Sequence, residues 1–360
     1  MRKETANILK SERIFYLDFA RGLAVFFMIM QHAMIIHERS GGEGNTIIGN
    51  IFIALGTAPA APVFVFIMGI FLVKSKKTVK QNVIRGVKLF AFGYVLNLLR
   101  FTLPLLVTGI SKSFAEDMFQ MVTGSSHEII NYSFYLLFTV DIFQLAGLSL
   151  VFFSFFKKYA NNRYMLPLLS IFILLISPYL WGLKDNLLIF TPLWGASEII
   201  DFPLFPWSVY FLLGMYLSKY FQAEKMEKNM KKWLVIAGII LGVTGISTLG
   251  IFPIGDYYRS GLNIHFLMIS FVFLWIVLCD YIVIKLNAKK LNRFLNIIYF
   301  WSSNVTGFYV FQWIIYGWSM LIIGSNRLVD YEAVGIGFIV VIITHMLLKY
   351  TKVKKLIPKL

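Results

Sequence analysis

YLDFARGLAVFFMIMQHAMII, residues 16–36, is the stretch on which the fold turns. As a helix rising 1.5 Å per residue it is long enough to cross a hydrocarbon layer of about 30 Å. Its only charged or readily titrated side chains are Asp18, Arg21 and His32, each costly to hold inside a membrane. At about 100° per residue, the eleven steps from Arg21 to His32 make three turns plus about 20°. Both side chains therefore share one face, roughly 16 Å apart along the axis. Asp18 stands one turn before Arg21, an i, i+3 acid–base pair that partly neutralises itself near a membrane boundary.

The rest of the chain repeats the apolar character of this stretch. Hydrophobic residues make up 58% of the 360, charged residues 14%, and the mean hydropathy is +0.72, which is the composition of a polytopic membrane protein. Apolar runs near 16–36, 47–73, 83–107, 131–156, 164–181, 203–221, 233–252, 264–284, 294–322 and 333–348 predict an all-α bundle of about ten transmembrane helices. No polar stretch is long enough for an independent soluble domain, so residues 1–360 read as one transmembrane domain and the bundle itself must hold the function. The first run lacks a cleavage pattern and is expected to stay as the first helix.

The net charge of +16 is a topology signal rather than a nucleic-acid footprint. Of 34 basic residues, 27 fall in 1–15, 74–88, 157–163, 219–232, 285–293 and 349–360, which are alternate connections. The intervening ones hold Arg39, Lys112, Lys184, Arg259 and Arg327 beside acids such as Glu116, Asp117, Glu198 and Asp201. Basic loops stay in the cytoplasm, so both termini are expected there and the acidic loops outside. Richness in Lys and Ile with short loops suggests a bacterial cytoplasmic membrane. The lone Cys279 excludes an internal disulfide and a cysteine-based metal cluster, so no metal is expected.

GTAPAAP (56–62) is expected to break or kink the second helix. Segments 108–130 and 182–202 read as short amphipathic helices over the outer mouth, and Trp181, Trp194, Trp207, Trp313 and Trp318 as an interfacial belt. Asp141, inside the fourth run at a depth comparable to His32, has Gln144 one turn on. It suits a carboxylate that orients the imidazole of His32; the other reading is an ion pair with Arg100.

Several stretches resemble a known family. RIFYLDFARGLAVFFMIMQH (13–32) is similar to the first-helix signature of transmembrane acyltransferases, an arginine followed after ten residues by a histidine. GTAPAAPVFVFIMGIFLVKSKK (56–77) resembles the second-helix signature of the branch containing the catalytic domain of heparan-α-glucosaminide N-acetyltransferase. IRGVKLFAFGYVLNLLR (84–100), VDIFQLAG (140–147) and FPLFPWSVYFLLGMYLSKY (202–220) continue it in order, so the motif-bearing part is about 13–220. Gln31 and His32 stand where that branch often carries Asn, which leaves the sister polysaccharide O-acyltransferases open.

The resemblance implies transfer of an acyl group from cytoplasmic acetyl-CoA, or another acyl-CoA, to an amine or hydroxyl of an acceptor across the membrane, a glycan or amino sugar. Arg13, Lys77, Arg85 and Lys88, with Lys74 and Lys76, are candidates to hold the coenzyme's phosphates; Arg21 with Asp18 would organise its passage. His32 is the candidate base or acetyl carrier, and Gln144 and Asn304 candidate donors to the oxyanion. His127 and His265 are reserve bases. Such a bundle is compatible with a homo-oligomer. The competing reading is a secondary transporter that uses the same intramembrane groups as a proton or solute relay.

Overall fold

The computed structural model describes residues 13–39, 46–58, 60–110, 126–184, 186–187, 189–221, 226–252 and 255–353. These residues are helical, joined by turns and three isolated β-bridges. Helix α1 (Phe15–His37) is the axis of the bundle. It packs against α2 (Ile47–Thr57), α3 (Ala60–Lys74), α12 (Leu262–Ala288), α13 (Asn292–Ser303), α14 (Val305–Ile323) and α15 (Asp330–Tyr350). Surrounded on so many sides, it is apolar nearly all round because it is buried nearly all round. Seven helical segments among the described residues are long and apolar enough to cross a membrane: Phe15–His37, Ile47–Lys74, Val79–Val107, Lys228–Ser247, Leu262–Asn287, Val305–Ile323 and Asp330–Tyr350.

Several of the expected runs are broken, and the breaks shape the interior. The GTAPAAP stretch interrupts the second run between α2 and α3. The third run starts at a capping box of Thr78 and Gln81, continues as α4 (Val79–Asn97), passes through a π-helical turn at Leu98–Thr102, and resumes as α5 (Leu103–Ile110). The expected helix 131–156 is two helices, α6 (Ser126–Leu137) and α7 (Ile142–Phe153). Asp141 therefore does not sit mid-helix: it is extended and caps the N-terminus of α7. The run 294–322 likewise divides into α13 and α14 at Asn304. The runs at 164–181 and 203–221 yield α8 (Met165–Leu180) and α10 (Leu204–Leu217), of 16 and 14 residues. Between them lies the single turn α9 (Thr191–Trp194); most of the expected outer helix at 108–130 falls outside the described residues. Helix α11 (Lys228–Ser247) packs on α12.

Close helix approach is set by glycine at the crossings that matter for the interior. Gly69 of α3 and Gly214 of α10 each rest on the other helix's backbone, at Phe211 and Phe66, where a Cβ would collide. Gly317 of α14 lies against the Arg100 carbonyl in the same way and seats the π-turn on α14. The belt reading fails for two tryptophans. Trp207 is fully buried and donates from Nε1 to the Tyr258 carbonyl at 2.9 Å, and Trp313 faces an internal cavity. Indole needs a partner for its N–H, and the loop before α12, folded into the bundle, supplies one for Trp207.

Candidate active site

One cavity of about 1120 Å³ runs inside the bundle between α1, α3, α4, α7 and the α13–α14 junction. Arg21 and His32 both line it, so the shared face of α1 is the wall of a passage at least about 16 Å long.

At one end the lining is basic: Arg21, Lys74, Lys77 and Arg85, with Ser75, Ser302 and Ser303 between them. Arg21 donates to Asp18 and to Ser302 Oγ, both at 2.9 Å, and Ser302 in turn donates to Asp18 at 2.9 Å. Arg13 completes the cluster at 2.5 Å from the second oxygen of Asp18. Asp18 is thus an anchor for two arginines, and Arg21 keeps its guanidinium on the cavity wall, over the Phe71 ring at 5.4 Å. Arg85 reaches Asn82 Oδ1 at 3.2 Å, while its Nε is buried without a partner. Lys157 donates to the carbonyls of Ser75 and Lys77, fixing the turn that carries Lys74 and Lys77. An end built this way, with cations clustered beside serine hydroxyls, fits phosphate groups.

At the other end stand His32, Asp141, Asp201, Tyr257, Tyr258, Tyr309 and Trp313. The π-turn and the α6–α7 break satisfy each other. Asn97 Nδ2 donates to the carbonyls of Leu137 and Thr139 at 3.0 and 2.7 Å, and its Oδ1 accepts from Arg100 Nε and Nη2 at 3.2 and 2.9 Å. Arg100, 1% exposed, forms an ion pair with Asp141 Oδ2 at 2.6 Å. That oxygen also accepts from the Tyr309 hydroxyl, and Oδ1 accepts from the Ile142 amide at 2.6 Å. Gln144 Oε1 accepts from the Asp141 amide at 3.1 Å, and its Nε2 donates to the Thr139 carbonyl at 3.2 Å. In a membrane interior such mutual saturation is what allows a helix to be interrupted.

His32 is half-buried and stacks on Trp313, ring centroids 4.4 Å apart and planes at 39°. The Arg100 guanidinium lies over the same indole at 4.4 Å. His32 Nδ1 is buried with no hydrogen-bond partner, and so are both polar atoms of the Gln312 amide. Asp201 arrives from another part of the chain. A parallel bridge pairs Val140 with Ile200, Val140 N donating to Ile199 O at 2.8 Å and Asp201 N to Val140 O at 2.9 Å. Arg259 holds this loop through the Ile200 carbonyl at 3.0 Å. Burial pushes the Asp201 carboxyl up to about 8; the charge of Asp141 adds to the rise, and Arg100 and Arg259 oppose it.

A family model, the heparan-alpha-glucosaminide N-acetyltransferase catalytic domain, matches residues 13–255. The chain belongs to this family. Comparisons with curated proteins and with solved structures give no significant match. As a member of the N-acetyltransferase family the chain carries an acyltransferase fold whose match extends past the motif-bearing stretch to the loop before α12. Its seven long apolar segments place it among integral membrane proteins.

Of the residues expected from sequence at this site, Arg21, Lys77, Arg85, His32 and Asp141 meet on the one cavity. Arg13 and Asp18 support it from behind. Lys88 is exposed and outside the lining. Gln144 and Asn304 do not line the cavity either: Gln144 completes the cap of α7, and Asn304 Nδ2 donates to the Phe300 carbonyl at 2.7 Å, ending α13. His265 bonds the Tyr210 hydroxyl at 2.8 Å away from the cavity, and the side chain of His127 lies outside the described residues. For Asp141 the ion pair with Arg100 prevails over a direct bond to His32. Asp201, Tyr258, Tyr309 and Trp313 were not expected at the site. Asp201 carried a signal, being an acid in a connection expected outside, but its 60-residue separation from Asp141 hid that the Val140–Ile200 bridge brings the two to one cavity.

Proposed function

We propose that the chain transfers an acyl group, acetyl in the first instance, from acyl-CoA held at the basic end of the cavity to an amine or hydroxyl of a glycan-type acceptor at the acidic end. The observation that carries this reading is the single cavity lined by both Arg21 and His32. By the positive-inside rule the basic end and both termini face the cytoplasm, in a membrane that the Lys- and Ile-rich composition fits to a bacterium. Residues 1–360 act as one domain, and the broken α6–α7 run with the shorter helices α8 and α10 joins the seven long segments to make up the expected set of about ten spans.

The division of labour follows from desolvation. Carrying nucleotide phosphates through hydrocarbon is prohibitive, whereas a slender pantetheine arm fits a polar passage. Arg21, Lys74, Lys77 and Arg85 hold the phosphates by charge-assisted hydrogen bonds. His32 accepts the proton of the acceptor nucleophile as it attacks the thioester carbonyl. The carbon–sulfur bond breaks, and His32 returns the proton to the leaving thiolate. Asp141 does not take a proton; it fixes Arg100 and Tyr309, and Arg100 fixes the Trp313 indole on which His32 stacks.

The test uses purified protein in lipid vesicles with acetyl-CoA labelled in the acetyl group and a panel of amine and hydroxyl sugars. Label on an acceptor supports direct transfer, and label retained on His32 points to an acetyl-imidazole route. Intact coenzyme with every acceptor removes the reading in favour of solute transport.

A further inference from the structure

Arg100 takes the carboxylate that was expected to orient His32, which leaves the imidazole without a group to set its proton. The ring is half-buried and lines the cavity, but its Nδ1 is buried and makes no hydrogen bond. A second unsatisfied group stands beside it. Gln312 precedes the Trp313 indole on which the ring stacks; it is fully buried, lies next to the imidazole, and neither of its amide atoms is hydrogen-bonded. Two contacts fix the register of α14 on α1 around this pair. The Tyr316 hydroxyl donates to the Ile29 carbonyl at 2.7 Å, and His37 Nε2 meets Ser319 Oγ at 2.9 Å. A buried amide and a buried ring nitrogen are each costly to leave unmet, and neighbours can satisfy one another by rotation about the soft last torsion of the glutamine. Arg100 Nη1 and Trp313 Nε1 are unpaired nearby, but both only donate. Among these groups the Gln312 carbonyl is therefore the acceptor for a proton on Nδ1.

We propose that Gln312 is the positioning residue for His32: its Oε1 accepts the Nδ1 proton and so fixes the tautomer that turns the Nε2 lone pair to the cavity. This rests on the acyl-transfer reading, to which it adds the group that prepares the base. A neutral imidazole carries one proton, and only the other nitrogen has a lone pair to take a second. With Nδ1–H held by Gln312, Nε2 takes the proton of the acceptor nucleophile and returns it to the departing thiolate, while Nδ1 keeps its own throughout. A donor placed against Nδ1 would do the reverse, putting the ring proton on Nε2 and leaving no base toward the cavity. Trp313 sets the plane of the ring by stacking, and Gln312 sets its rotation within that plane. An amide also suits the place better than a carboxylate, since it orients the ring without burying a further charge beside the Arg100–Asp141 pair.

The test uses the full chain in lipid nanodiscs, with isotope-labelled histidine nitrogens observed by magnetic resonance. The two ring nitrogens resonate apart according to which carries the proton, and the His32 signals are identified by their loss in His32→Ala. Wild type without substrate is expected to show the Nδ1–H tautomer alone. Gln312→Met keeps the bulk and removes the acceptor. It is expected to give a mixture of tautomers and to lower kcat for acetyl transfer by about 10- to 100-fold, with KM for acetyl-CoA within about twofold of wild type. Gln312→Glu, which keeps an acceptor oxygen, recovers the Nδ1–H tautomer and part of kcat. An Nε2–H tautomer in wild type overturns the proposal, as does Gln312→Met with unchanged tautomer and kcat. If Gln312→Met is not recovered folded, the wild-type tautomer decides. The expected tautomers without transfer to any acceptor overturn the acyl-transfer reading alone; transfer by a protein whose His32 carries its proton on Nε2 overturns this inference alone.

Discussion

The two ends of the cavity hold their charges in opposite ways. At the basic end, Arg21, Lys74, Lys77 and Arg85 line the cavity from the start of α1, the end of α3, the turn after it and the first half of α4. The backbone beneath them is regular helix or a short turn, and their charges gather beside serine hydroxyls. At the acidic end the backbone itself is interrupted, by the π-turn at Leu98–Thr102 and by the break before Asp141, and the charges freed there are tied to one another. Among the described residues of that end, His32 Nδ1 is buried without a partner, as are Arg100 Nη1, Trp313 Nε1 and the Gln312 amide nearby. The contrast separates two tasks. A surface that must bind and release a polyanion needs mobile cations and little geometry, whereas a surface that aligns a base with two reacting groups needs rigid support.

Removing the support should have the largest effect. Arg100→Met leaves Asp141 charged and unpaired in the interior, with an expected loss of roughly 3–5 kcal/mol. Thermal unfolding in detergent measures it, and Asp141→Asn on top of Arg100→Met should recover a good part. If the single variant melts like wild type, the acidic end is not the rigid half. His32→Ala should leave the melting temperature near wild type and lower acetyl transfer by about 10²–10⁴-fold, the ordinary contribution of a positioned base; residual transfer at the wild-type rate would assign the proton to another group.

The basic end should respond more softly. Lys77→Ala or Arg85→Ala is expected to raise KM for acetyl-CoA by about five- to tenfold with kcat nearly unchanged, and the penalty should change with salt because these charges reach water. A fall in kcat instead would place the cations in the reacting geometry and blur the contrast. A further effect concerns pH. The Asp201 carboxyl titrates near 8 in the folded protein against an ordinary value of 3.8. Between these values the folded state binds the proton and the unfolded state does not, so this group lowers stability as pH rises from about 4 to 8. Asp201→Asn should flatten that slope and melt higher than wild type at pH 8. An unchanged slope would show that Asp201 is not buried as described.

Much of α1 was legible in the sequence, because the relation between Arg21 and His32 is internal to one helix and fixed by its 3.6-residue period. The GTAPAAP break was legible for a similarly local reason: proline removes a donor and disfavours the helical conformation of its predecessor. The breaks at Asp141 and Asn304 were not, since VDIFQLAG and WSSNVTGF are apolar enough to continue a span and no proline marks them. The break at Asp141 depends on partners far along the chain: Asn97 donates to the Thr139 carbonyl, and Val140 pairs with Ile200. Trp207 and Trp313 misled for the same reason, because an indole at a span end reads as interfacial until a folded-in loop or a neighbouring arginine covers it.

By itself the sequence determined the solvent in which the chain folds, its helical class, the charge asymmetry of its connections and the single face that carries a cation and an imidazole. These depend on composition and on periodicities a few residues long, which no distant contact can change. The tertiary structure alone decided that Arg100 and not His32 would take Asp141, and that Asp201 would enter the same cavity unpaired. Those choices lie between segments 40 to 60 residues apart, where charges buried away from water go to whichever partner the packing brings within hydrogen-bonding reach.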